Sequence, residues 1–150
     1  MKEYAVDIYK NILAATDFSP AADKAVRRAS ALAGLTGAKL TVLHVLEHFP
    51  EDIPNYSIAP ENADPKHFYL DEAKTKLEQT INELEGNGIA TDVLASTHSA
   101  GREISNYASE NDMDLIVLGQ QGARGILSLA GSTASSVLHS ATVDVLTVRI

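Results

Sequence analysis

Five short apolar runs, separated by four stretches with helical spacing, constrain the fold of this 150-residue chain more than any other feature. The runs are Ile12-Leu13-Ala14-Ala15, Leu40 to Leu46, Ile89 to Ala95 with Asp92 inside it, Leu115-Ile116-Val117-Leu118, and Val143 to Ile150. A strand with one face in water alternates apolar and polar residues. Runs that are apolar throughout suit strands covered on both faces, as in parallel sheets. None approaches the ~20 residues that a membrane span needs.

The intervening stretches carry helix signals. Ser19-Pro20 reads as an N-cap followed by proline at the first helical position. Ala25, Val26, Ala29, Leu32 and Ala33 then form an apolar stripe, which Gly34 and Gly37 are expected to end. Asp64-Pro65 repeats the start signal. Leu70, Ala73, Leu77, Ile81 and Leu84 follow at three- and four-residue spacing, with Gly86-Asn87-Gly88 as the stop. A third helix is predicted from about Ala100 to Glu110, with Ile104, Tyr107 and Ala108 inward. A fourth starts near Ser132 and carries Val137, Leu138 and Ala141. Strict strand-helix alternation predicts an α/β fold: a single doubly wound domain over 1–150, with a five-stranded parallel sheet and helices on both faces. The length suits one domain, since single cores of roughly 100–200 residues are common.

Composition narrows the chemistry. The chain has no cysteine, which excludes disulfides, thiolate metal sites, iron–sulfur clusters and cysteine nucleophiles. Met1 to Lys10 mixes charges with tyrosines and lacks the apolar stretch of a secretory signal, so a cytoplasmic address is expected. The formal net charge is -8, which disfavours non-specific nucleic-acid binding. That charge is segregated. Residues 47–92 hold 11 acidic and 3 basic side chains, and the rest of the chain is balanced. Residues 47–63 also form an unusually long connection between the second strand and the second helix, which suggests a mobile or functional loop.

In open α/β sheets ligands bind beyond the carboxyl ends of the strands, where the strand order reverses. Ala15-Thr16-Asp17, His44-Val45 and Gly119-Gln120-Gln121-Gly122 should converge there. The segment from Gly119 to Ser136 has four glycines, one cation, Arg124, and no acid, so it is locally neutral to positive. Glycines allow close backbone approach, and the free N–H groups of a following helix attract anions. The segment therefore reads either as a phosphate cradle or as a turn-rich loop. Asp17 reads either as an acceptor for a ribose hydroxyl or phosphate-bound metal, or as a turn residue ahead of Ser19. The P-loop, dinucleotide fingerprint, nucleophile elbow and H-E-x-x-H helix are all missing. A phosphoacceptor receiver would need an acid after the third strand, where the chain reads Leu94-Ala95-Ser96-Thr97. The five histidines show no metal-binding spacing on one helix face.

On four segments the chain resembles the universal stress protein family over essentially its whole length. They are KNILAATDFSP, LTVLHVLE, DLIVLGQQG and GSTASSVLHSATVDVLTVR. The family's nucleotide-binding motif is G-x-x-G, nine residues, then G-[ST]. Here Gly119-x-x-Gly122 is followed by eight residues and Gly131-Ser132, a connection one residue shorter. The resemblance implies an ATP-binding protein acting as a stress-response sensor or regulator. The alternative is a nucleotide-free dimeric interaction module of the same fold. Carried over residue by residue, the resemblance implies that the backbone at Val45 meets adenine. Asp17, with Ala15 and Thr16 beside it, meets ribose or a magnesium ion held through the phosphates. Gly119, Gln121, Gly122, Gly131, Ser132 and Thr133 line the phosphates. No catalytic residue and no protein-held metal are expected, and ATP hydrolysis is slow at most, since no general base is evident and Arg124 is the loop's sole cation. The resemblance also implies a homodimer. The last strand, 144–150, should lie at a sheet edge, where open N–H and C=O groups invite a second copy.

Overall fold

In the computed structural model, residues 8–50, 65–84, 88–120 and 132–150 are described. Nine elements alternate along the chain. They are β1 (Asn11–Ala15), α1 (Pro20–Thr36), β2 (Lys39–Leu46), α2 (Pro65–Asn82), β3 (Ala90–Ala95), α3 (Ala100–Glu110), β4 (Leu115–Gln120), α4 (Ser132–Ser140) and β5 (Asp144–Arg149). All pairings are parallel, in the order β3-β2-β1-β4-β5. The expected five-stranded α/β sheet with helices on both faces is what the chain forms.

The continuous apolar runs act as their pattern requires. Ile12, Leu13 and Ala14 of the central strand are fully buried, as are Val42, Leu43, Ile116 and Val117 on its neighbours. Alternate residues point to opposite faces. Ile12, Ala14, Val42 and Val117 pack under α1 and α2 through Ala25, Val26, Ala29 and Leu77. Leu13, Leu43 and Ile116 pack under α3 and α4 through Ile104, Ala108 and Val137. Asp114 pins the amino ends of the central pair, its carboxylate accepting from the main-chain N–H groups of Lys10 (2.8 Å) and Asn11 (3.2 Å).

Several boundaries and one facing differ from expectation. Gly34 does not end α1; Gly37 does, in the left-handed conformation at φ 74°, its N–H returning to the Ala33 carbonyl at 2.9 Å. α2 closes at Asn82, before the Gly86-Asn87-Gly88 stop, and Leu84 packs from the following turn. β4 runs on to Gln120 because β5 continues to pair with it. Leu138 points into solvent at 53% exposure, while Val137 is fully buried. Consecutive helical residues lie about 100° apart, so both cannot face the sheet.

The two sheet edges differ. On β3, Asp92 Oδ1 accepts from the Val93 N–H at 2.9 Å, so a side chain already occupies a donor of that edge strand. Its Oδ2 accepts from the Tyr107 hydroxyl at 3.0 Å. Partial burial, followed by this bond and the carboxylate's charge, pushes the phenol up to about 12. β5, at the other edge, lacks such a self-capping acid within its apolar stretch from Val145 to Val148. No helix among the described residues is long and apolar enough to cross a membrane.

Two measurements follow from this packing. Gly34 sits in a helix interior with no atom within 4 Å of where a Cβ would go. Gly34→Ala should therefore stabilise the fold by about 0.5–1 kcal/mol, read as a higher urea midpoint. The second concerns Tyr107. Below pH 10 its phenol is protonated in the folded and unfolded chain alike, and its bond contributes fully. Between the unfolded value of 10.0 and the folded value of about 12, the unfolded chain alone sheds the proton, so stability falls as pH rises. The urea midpoint of the native chain should drop more steeply across that window than that of Tyr107→Phe. Parallel slopes would show that the phenol titrates at its ordinary value.

Candidate functional site

With β1 and β4 adjacent at the centre, connections leave β1 towards β2 on one side and β4 towards β5 on the other. Their carboxyl ends therefore diverge and leave a crevice between the exits. A cavity of about 170 Å³ occupies it, lined by residues of the β1, β2 and β4 ends and the first turns of α1, α3 and α4. Of the expected site residues, Ala15, Thr16, Asp17, Val45, Gly119 and Thr133 line this cavity. Ser132 begins α4. Gln121, Gly122 and Gly131 lie outside the described residues, as does Arg124.

The β1 exit is tightly tied. Thr16 is buried; its N–H donates to the Leu43 carbonyl at 2.9 Å, and its Oγ1 accepts from the Phe18 N–H at 2.9 Å. The Thr16 carbonyl lies 2.7 Å from His44 Nδ1, so that nitrogen must carry the proton. His44 itself does not line the cavity; it locks β2 onto the loop that does. Phe18 holds φ at 66°, a left-handed conformation that a bulky side chain rarely adopts. Its ring packs 4.5 Å from the His44 ring, and Lys76 Nζ lies 5.6 Å from its centroid. Asp17 is exposed, and its Oδ1 accepts from the Ser19 N–H at 2.9 Å. It is thus the turn residue ahead of Ser19 that one reading of its sequence position expects, and it also lines the cavity.

Three helices begin at the cavity wall, and α1 and α3 carry described caps. Ser19 Oγ accepts from the Ala22 N–H at 3.2 Å at the start of α1. At α3, Ser99 serves the Arg102 N–H, and Glu47 Oε2 accepts from the Ala100 N–H at 2.8 Å. No described side chain caps α4, whose first N–H groups have no carbonyl to serve within the helix. Helix starts attract anions, and that of α4 meets the cavity at Thr133 and Ala134.

Two glycines make this arrangement possible. A Cβ on Gly119 would strike the Ala21 carbonyl group and sit 2.7 Å from the Ala22 nitrogen. Glycine at 119 is thus demanded by the first turn of α1 crossing over β4, whatever the crevice holds. Gly101 was not singled out by sequence, and only its place in an otherwise helical stretch could have flagged it. A Cβ there would strike Ser136 Oγ and lie 2.6 Å from Ser136 Cβ, so Gly101 sets how closely α3 and α4 approach. Glu47 was also missed as a site residue, being grouped with the acidic stretch of which it is the first member. Its signal was a carboxylate directly after an apolar strand.

The wall carries two carboxylates, Asp17 and Glu47, and no cation among its described residues. The remainder is mostly small and apolar, including Ala15, Ala22, Val45, Ala100 and Leu118. No group of three or more His, Asp or Glu side chains among the described residues could hold a metal ion.

The model of the universal stress protein family matches residues 8–149. The chain belongs to this family. It is 33% identical over 140 residues to universal stress protein A homolog 1 of Coxiella burnetii, covering 93% of this chain and 96% of that protein. Among solved structures it resembles the universal stress protein UspA from Lactobacillus plantarum, at a TM-score of 0.70 and 28% identity, covering 94% of this chain and 98% of that one. It also resembles a universal stress protein from Archaeoglobus fulgidus in complex with dAMP. There the TM-score is 0.65 at 25% identity, covering 94% of this chain and 98% of that one.

The Gly119 contact makes a direct test. Gly119→Ala should cost about 1–3 kcal/mol by overpacking, measured as a fall in thermal midpoint without any ligand present. An unchanged midpoint would mean that α1 does not cross β4 as described.

Proposed function

We propose that the chain binds an adenine nucleotide, ATP, in the crevice at the carboxyl ends of β1, β2 and β4. It acts in the cytoplasm as a stress-response sensor or regulator and not as a rapid enzyme. The observation that carries this reading is the amino end of α4 meeting, at Thr133 and Ala134, a cavity with small apolar walls. A helix start with unserved N–H groups suits phosphate, and the alanine-rich slot suits a flat base. The dAMP complex of the Archaeoglobus fulgidus relative supports a nucleotide of this class. Val45 would meet the base, Asp17 the ribose or a magnesium ion held by the phosphates, and Gly119, Ser132 and Thr133 the phosphates, with Gln121, Gly122 and Gly131 completing that side. When bound, ATP supplies the anionic charge that α4 attracts; the chain's own residues orient it and exclude water. With Arg124 the sole cation of the 119–136 segment and no general base evident in the sequence, the proposal includes slow hydrolysis at most.

The same reading includes a homodimer of this 150-residue domain through 144–150. β5 is an edge strand whose apolar stretch is not self-capped, whereas Asp92 occupies part of the opposite edge. Sedimentation at micromolar concentration should give twice the chain mass, and a monomer would overturn the pairing.

Protein purified from cells and then denatured should release adenine nucleotide, detected by chromatography of the supernatant. Added Mg-ATP at about 100 times Kd should stabilise nucleotide-stripped protein by ~2.7 kcal/mol, seen as a rise in thermal midpoint. No released nucleotide and no shift at millimolar ATP would overturn the nucleotide reading and favour an interaction module of the same fold.

A further inference from the structure

We propose that Glu47 selects the base of the bound nucleotide by accepting a hydrogen bond from the exocyclic amino group of adenine. The inference rests on the nucleotide reading above and adds a specificity-determining residue to that site.

The order of groups along the crevice follows the sheet. Glu47 follows β2, Asp17 follows β1, and Gly119 lies in β4, with Thr133 of α4 beside it. Adjacent strands lie about 4.8 Å apart, so the β2 and β4 ends are separated by about 10 Å, comparable to a nucleoside's reach from base to phosphate. Charge sets the ligand's direction along this line. Phosphate is repelled by the two carboxylates and attracted by the helix start of α4, so it goes to the β4 side. The group left at the β2 end is the base, and it meets Glu47.

Glu47 is held for such a role. One oxygen, Oε2, is committed to the Ala100 N–H at 2.8 Å, which fixes the carboxylate at the start of α3. His48 Nε2 approaches that same oxygen at 3.9 Å. The other oxygen takes no hydrogen bond from the described residues and can only accept while the group is ionised. Adenine offers a donor at its six-position, and hypoxanthine offers a carbonyl oxygen there. A carboxylate oxygen attracts the first and repels the second. The side chain is 46% exposed, so water competes and the discrimination is moderate.

Glu47→Gln tests the assignment with little disturbance. The amide oxygen can keep the Ala100 N–H, and the amide nitrogen then presents a donor where an acceptor stood. Calorimetric titration of the full chain, stripped of nucleotide, would use AMP and IMP as probes. The native chain should bind AMP roughly 10- to 100-fold more tightly than IMP. Glu47→Gln should cut that ratio at least tenfold, mainly through weaker AMP binding, with its thermal midpoint close to native. Binding of both nucleotides with the same ratio in both proteins would overturn the role of Glu47 alone. Binding of neither by the native chain would overturn the nucleotide reading and this proposal with it. Should Glu47→Gln melt early, Ala100→Pro removes the N–H that anchors Glu47 at a position where helices accept proline. The AMP preference should then loosen with Glu47 still present, and an unchanged ratio would count against the proposal.

Discussion

The complete burial of β1 between two helical layers is the constraint on which the rest depends. Ile12, Leu13 and Ala14 have no solvent exposure, so their main-chain groups must be paired on both sides, and β2 and β4 supply the partners. The crossovers that follow β1 and β4 run over opposite faces of the sheet, and the crevice is the space they leave. Thr16, the residue after β1, leaves the core with every polar group engaged. It bonds Leu43, Phe18 and His44, which anchors a loop that also holds a left-handed Phe18. The site is thus a direct consequence of how the core strand ends.

Electrostatics then sorts the crevice into two ends. The helix starts of α1 and α3 are answered by Ser19, Ser99 and Glu47, while that of α4 has no described partner. The acids at Asp17 and Glu47 reinforce the difference. The net charge of -8 therefore says little about whether an anion can bind. What matters is which wall carries the carboxylates and which carries the start of α4.

Much of this was legible in the chain. The apolar runs placed all five strands, and Ser19-Pro20 marked the start of α1 where it occurs. The errors have local physical reasons. Gly34 is tolerated in an exposed helical turn, so glycine there was no stop. Leu138 is apolar but faces outward, because Val137 takes the inward position. Gly119 was read as a site for backbone approach to phosphate. It does line the crevice, but the atoms that exclude a side chain belong to Ala21 and Ala22 of α1.

The sequence by itself determined the element types and the parallel architecture, because periodicity and turn chemistry act over a few residues, and its motif segments carried the resemblance to the family. It also identified Asp17 and Gly119 as neighbours of the site. Only the tertiary structure decided that Glu47 caps α3 at the wall of the crevice, that Gly101 sets the α3–α4 approach, and that Asp92 bonds Tyr107 across an edge strand. These contacts join residues 53, 35 and 15 positions apart for Glu47–Ala100, Gly101–Ser136 and Asp92–Tyr107. No local pattern encodes such pairs, since they arise from how strands and helices pack and from where the polar ends of those elements then find partners.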